Sequence, residues 1–388
     1  MRNLISVSIA IDKGEYKGEG RRAAAGENRG VKTLRLSIDA NHAGAPESGD
    51  VLERAAGILR AGGLVALPTE TVYGLGANAL DGAAVERIFA AKSRPAWDPV
   101  IVHVASRAML ERVVEAIPAR ARRLMKEFWP GPLTLLLKRT RAVPDVVTAG
   151  RPLVGVRMPS HAVALQLIGR AGVPVAAPSA NRFGHTSPTT AEHVLDDLDG
   201  RIDAVLDAGP TERGVESTVL DPSADPMVIY RPGAVTAEQI REFAGAVELY
   251  QGESLRETPM EALPSPGVGM RHYAPRARLL LIEAADEELG ECLAEAASAE
   301  RGERPGVMLP AGIAAPPELT AAQVFAWGNW SAPETLAQGL YAGLRALDAA
   351  GCRVILCPLP RAKGIGVAIR DRLRKAEARD KSGKRDVR

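Results

Sequence analysis

Apolar positions along the chain follow two patterns. Short unbroken apolar runs recur: "LVALP", "PVIVHV", "PLTLLLKR", "VGVRMP", "VPVAAP", "IDAVLDAG", "STVLD" and "MVIYRP". Each is four to eight residues long and bounded by Pro, Gly or polar clusters, which reads as a buried strand. Between them lie segments of helical period. In "DVLERAAGILRAGG", Val51, Leu52, Ala55, Ile58 and Leu59 share one face, and Gly62-Gly63 supplies the stop. "AAVERIFAAK", "ARRLMKEFW", "AVALQLIG" and "TAEHVLDDL" continue the alternation. So many strands with intervening helices predict an α/β fold with a sizeable mixed sheet up to about Arg231.

The texture changes on either side. Residues 1–32 carry no sustained period and are expected to form a flexible extension, leaving 33–235 as the first domain. Residues 236–275 begin with a short helical pattern and become polar and rich in Pro and Gly, which reads as a linker. Beyond it "RLLLIEA", "PGVMLP", "QVFAWG" and "RVILCPLP" alternate with helical stretches over 276–377, the length of a small doubly wound sheet. The basic stretch 378–388 is expected to fray.

Composition bounds this picture. At 388 residues the chain is too long for one ordinary core. It is 46% hydrophobic, with no apolar run long enough to cross a bilayer, so no membrane partner is expected. The N-terminal apolar segment is too short for a secretory signal. Three cysteines without metal-ligand spacing suit a reducing, cytoplasmic setting. A net charge of only +2 neither demands nor excludes nucleic acid.

The chemistry gathers where strands end. After "LVALP" come Thr69, Glu70, Thr71 and Tyr73; after "AAVERIFAAK" come Lys92, Arg94 and Asp98. His103 lies in "PVIVHV" and Arg157 in "VGVRMP". "PSANRFGHTSPTT" carries Ser179, Asn181 and Ser187, "ESTVLD" carries Ser217, and "YRPG" carries Arg231. Lys92, Arg94, Arg157 and Arg231 beside clustered hydroxyls suit a polyanion next to a small polar molecule. "GLGANAL" fails the spacing of both dinucleotide and Walker loops. Ser179, Ser217, His185 and Asp207 lack the nucleophile elbow of a hydrolase triad.

In order, "PTETVYGLG", "KSRP", "PVIVHV", "PGPLTLLL", "VGVRMP", "APSAN" with "SPT", "ESTVLD" and "RPG" resemble the YrdC-like family of threonylcarbamoyl-AMP synthases. "SPGVGMRHYAP" and the C-terminal αβ unit resemble its long, two-domain form. The resemblance implies a twisted mixed sheet with a concave ligand pocket and a smaller Rossmann-like C-terminal domain. It also implies a reaction: L-threonine, bicarbonate or CO2, and ATP with its Mg2+ give threonylcarbamoyl-adenylate and pyrophosphate. The product would pass to a tRNA threonylcarbamoyl transferase complex acting on tRNAs that read ANN codons. By matched position, Thr71, His103, Arg157 and Ser217 would hold threonine and its carbamate. Lys92, Arg94, Asp98, Ser179, Asn181, Ser187, Arg231 and His272 would face ATP, with Lys92 and Arg94 carrying the catalysis. Arg271, His272 and Tyr273, framed by Pro266-Gly267 and Pro275, suit a segment that closes over the pocket and brings His272 to the nucleotide, the alternative being a plain spacer.

Two positions depart from the family's habit. Asp98 stands where Asn or His is common, and a carboxylate beside phosphates is unfavourable unless it faces a metal or the base. Leu153 stands where many relatives carry Thr. Two rival functions use the same kind of domain. One is a double-stranded-RNA or ribosome-binding module, but the sequence has no aromatic stacking ladder and little net charge. The other is a carbamoyl-transfer maturation enzyme, for which the CxxC pairs are missing.

Overall fold

The computed structural model describes residues 32–40, 46–251, 265 and 273–377. Eleven strands form the first sheet: β1 (Leu34–Ser37), β2 (Val65–Leu67), β3 (Gly74–Asn78), β4 (Val102–His103), β5 (Leu133–Lys138), β6 (Leu153–Arg157), β7 (Val175–Ala176), β8 (Ala204–Asp207), β9 (Thr218–Asp221), β10 (Met227–Arg231) and β11 (Val247–Leu249). Their order is β1-β8-β2-β3-β7-β4-β6-β5-β9-β10-β11. The sheet is mixed: β4 and β6 run parallel, while β2 with β3, β5 with β6, and β9 with β10 run antiparallel. This arrangement brings the C-terminal ends of β3, β4, β6 and β10 to the same edge as the N-terminal end of β9.

A helix end turns a further residue toward the sheet. The helix Gly82–Lys92 starts where Asp81 accepts from Ala83 N and Ala84 N, and it stops at Ser93, whose φ of 53° is left-handed. That reversal returns Arg94 toward the sheet instead of into solvent. The main hydrophobic core lies between the sheet and its helices, with Leu52, Leu59, Val85, Ile88 and Leu167 fully buried. Each such side chain contributes roughly 1.5–3 kcal/mol relative to exposure.

The second sheet is parallel throughout: β12 (Arg278–Ile282), β13 (Pro305–Ala311), β14 (Val324–Asn329) and β15 (Val354–Pro358), in the order β12-β15-β13-β14. Its core does not stop at its own helices. Val72 and Val215 of the first domain are buried in one cluster with Tyr273, Trp327, Leu340 and Ile369. Gly214, at φ +70°, approaches the helix Pro333–Ala349 so closely that a Cβ would lie 2.3 Å from Ala337 O.

The sequence pattern places a linker over residues 236–275. Instead, the helix Ala237–Ala244 is closed by a Thr236/Gln239 capping box, and β11 pairs in parallel with β10. The first sheet therefore runs on to Leu249. A three-residue strand beside a polar stretch gives too little alternation to be seen in sequence. The N-terminal stretch 1–31, His272 and the tail 378–388 lie outside the described residues.

Candidate active site

Thr69, Glu70 and Thr71 leave β2 in a loop whose main chain is held from several sides. Tyr73 N donates to Pro188 O at 2.9 Å, Arg213 N to Glu70 O at 2.8 Å, and Gly214 N to Thr71 O at 3.2 Å. Within the loop, Thr69 Oγ1 donates to Val72 O at 2.6 Å and lies 2.8 Å from Thr71 Oγ1. Across the edge, His103 at the end of β4 sits in register with Arg157 at the end of β6. Arg157 reaches back to the loop: Nη1 donates to Thr71 Oγ1 at 3.0 Å, and Nη2 pairs with Glu70 Oε2 at 2.7 Å. The N–H of Nε has no protein partner.

The other wall comes from β9 and β10. Arg231 Nε and Nη2 donate to Ser217 O at 3.1 and 2.9 Å, and Nη2 also donates to Ser217 Oγ at 3.1 Å. Thr134 and Ser217 hydroxyls lie 2.8 Å apart. Gly233 lets the chain pass here, since a Cβ on it would lie 2.4 Å from Thr218 N.

These walls frame a cleft that is open to solvent. Of the expected residues, Thr71, Arg94, His103, Arg157, Ser179, Ser217 and Arg231 line it. Lys92, Asp98, Asn181 and Ser187 lie behind the lining. The Lys92 ammonium donates to the main-chain oxygens of Ser179 and Asn181, so it holds that loop from beneath. Asp98 pairs with Arg94 at 2.9 Å, and Arg94 also donates to Asp98 O and Pro99 O. Ser187 donates to Glu216 Oε1 at 2.7 Å. His185 pairs with Asp197 and Asp207 with Arg35, which separates the parts of any hydrolase triad.

Electrostatics follow from burial. Burial, then the Arg157 charge, pushes His103 down to about 3, so its imidazole is neutral at physiological pH. Burial, then Arg94, lowers the Lys92 ammonium well below its usual range. Among the described residues the hydroxyls of Thr71 and Ser217 have only hydroxyl and guanidinium partners, with no imidazole or carboxylate to activate them. Three guanidinium groups in one cleft offer instead to bind and polarise an anion.

Known proteins carry the same two-part layout. A family model described as "Threonylcarbamoyl-AMP synthase, C-terminal domain" matches residues 235–378, and the Sua5/yciO/yrdC model, described as "Telomere recombination", matches 57–233. A threonylcarbamoyl-AMP synthase of Pyrococcus abyssi is 44% identical over 324 residues, covering 83% of this chain and 92% of its own length. This chain belongs to the threonylcarbamoyl-AMP synthase family. A Bacillus subtilis member is also 44% identical, over 84% of this chain and 92% of its own. The solved structure of P. abyssi Sua5 complexed with L-threonine is 41% identical, covers 89% of this chain and 97% of its own, and superposes with a TM-score of 0.78.

Sequence reasoning missed Glu216 and gave Glu70 no role of its own. Glu70 holds Arg157; Tyr273 and Glu216 line the cleft itself. The available signal for Glu216 was a carboxylate directly before Ser217 in "ESTVLD". Burial would raise the Glu216 carboxyl, but Arg372, then Arg231, and hydrogen bonds from Ser187 and Arg372 bring it down to about 2. Because the folded value lies below the unfolded one near 4.5, the stabilisation is complete above pH 4.5 and is lost as pH falls toward 2. It amounts to something on the order of 3 kcal/mol. Melting temperatures from pH 6 to 2.5 are expected to fall more steeply for the parent than for Glu216→Gln, and parallel curves would refute the assignment.

Proposed function

We infer that the chain is an L-threonylcarbamoyladenylate synthase. It joins L-threonine, bicarbonate or CO2, and ATP into L-threonylcarbamoyl-AMP and releases pyrophosphate. The observation that carries this reading is a cleft with Arg94, Arg157 and Arg231 beside hydroxyls, and no activated nucleophile. The threonine amine takes up CO2 as a carbamate and loses a proton. A carbamate oxygen then attacks the α-phosphorus, and the bond to the pyrophosphate leaving group breaks. Such a transfer needs positioning and charge neutralisation more than a protein nucleophile.

Arg157, with Thr71, His103 and Ser217, holds threonine and its carbamate. The free Nε–H of Arg157 suits a carboxylate oxygen, and a neutral His103 adds no charge against the threonine ammonium. Arg94, Arg231 and Ser179 face ATP, while Lys92, Asp98, Asn181 and Ser187 shape that side from behind. We assign His272 to the phosphates because its neighbour Tyr273 lines the cleft. Mg2+ enters as part of MgATP. The carboxylates near the cleft, Glu70, Asp98 and Glu216, are each paired with an arginine, and among the described residues no group of three His, Cys, Asp or Glu could hold a metal. No described helix is long and apolar enough to cross a membrane. We place the enzyme in the cytoplasm, handing its adenylate to a tRNA threonylcarbamoyl transferase complex.

The test is pyrophosphate release with each substrate omitted in turn. Release is expected only with threonine, bicarbonate and ATP together, with the adenylate identified by mass. Salt-sensitive RNA binding without such release would favour the RNA-binding module. Ser217→Ala is expected to raise the threonine half-saturation about fivefold, the loss of roughly one hydrogen bond, with ATP affected less.

A further inference from the structure

The second domain supplies the counter-ion of a cleft-lining carboxylate. On the helix Pro333–Ala349, Ala337, Tyr341 and Arg345 are spaced by four and so share one face. Ala337 abuts Gly214, Arg345 donates to Thr186 O and pairs with Asp197 at 2.8 Å, and Tyr341 OH donates to both Glu216 oxygens, at 3.1 and 2.9 Å. From the helix Gly366–Glu377, Arg372 Nε donates to Glu216 Oε2 at 2.8 Å. The Arg372 side chain is 1% exposed and its guanidinium lies 5.1 Å over the Tyr273 ring. Glu216 is thus a cleft-lining carboxylate whose counter-ion lies 156 residues away on the other domain.

An uncompensated carboxylate in a cleft built for a triphosphate is a liability, because it repels the ligand or captures the cations meant for it. We propose that Arg372 and Tyr341 are positioning residues for the nucleotide side: they hold the Glu216 carboxylate and occupy its charge, leaving Arg231 for phosphate. The inference rests on the synthase reading and assigns the second domain a part in ATP binding. Arg231 is the next cation to act on Glu216 after Arg372, so a released Glu216 turns to it. Threonine, a zwitterion on the Arg157 side, is little affected.

The test is calorimetric binding at pH 8 of ATP, inorganic pyrophosphate and threonine, separately. In Arg372→Met, affinity for ATP and pyrophosphate is expected to fall about tenfold or more, with threonine within about twofold. Glu216→Gln together with Arg372→Met removes both charges and is expected to return ATP affinity to within about threefold of the parent, because an ion pair replaced as a pair costs little. If Arg372→Met alone does not fold, Arg372→Lys and the double variant carry the comparison: both must fold and bind ATP within that range. Equal losses for ATP and threonine, or a double variant no better than the single one, overturn the proposal. These readouts do not depend on carbamoyl chemistry. A parent that binds ATP yet makes no adenylate would refute the synthase reading alone, and one that binds neither ATP nor pyrophosphate would refute both.

Discussion

Replacing Arg157 with alanine is expected to raise the threonine half-saturation about 100-fold while leaving that of ATP within about threefold, as loss of a charge-assisted contact to one substrate should. The geometry adds a second effect. Arg157 and Glu70 side chains are 4% and 2% exposed and pair at 2.7 Å, so the alanine variant leaves a buried carboxylate without its cation. Breaking such a pair costs about 3–5 kcal/mol of folding stability. Arg157→Lys separates the two roles. It keeps a charge for Glu70 but lacks the planar fork that spans Thr71, Glu70 and a ligand, so stability should largely return while threonine affinity does not. Steady-state kinetics on folded protein, with melting curves alongside, read both. An ATP requirement that rises while the threonine requirement holds would move Arg157 to the nucleotide side.

What was legible in the sequence was whatever depends on neighbours along the chain. The apolar runs identify the long strands, and Arg157 and Arg231 at two strand ends mark where the cleft lies. Pairings across the fold were not legible. Glu70 reads as one more polar residue after "LVALP" until β6 brings Arg157 beside it. Glu216 makes sense only with Tyr341 and Arg372, 125 and 156 residues further on. Lys92 misled in a different way. A lysine after a helix reads as a free point charge, but its stem is long enough to carry the ammonium beneath the "PSAN" loop, where two carbonyls hold it. Composition records the charge, and only the fold decides whether that charge faces the ligand or the chain behind it.

Arg94→Ala tests that distinction most directly. Turnover is expected to fall on the order of 100-fold or more, as when a preorganised electrostatic contact to the reacting group is removed. Sequence alone suggests little effect on folding, since Arg94 follows a helix end. The structure predicts otherwise. The left-handed turn at Ser93 folds Arg94 inward, its side chain is 4% exposed against 2% for Asp98, and the two pair at 2.9 Å. Its guanidinium also sits 5.9 Å over the Phe183 ring. Asp98 therefore faces Arg94, which answers how a carboxylate would be tolerated beside the side of the cleft proposed for the phosphates. Arg94→Ala alone should lose about 3–5 kcal/mol because Asp98 is left buried and charged. Adding Asp98→Ala should recover most of that stability while turnover stays low, because the lost cation is still missing from the cleft. Melting curves paired with pyrophosphate release decide between the roles. Turnover that returns with stability in the double variant would make Arg94 a structural residue, and adenylate made at the parent rate by Arg94→Ala would remove it from the phosphate site.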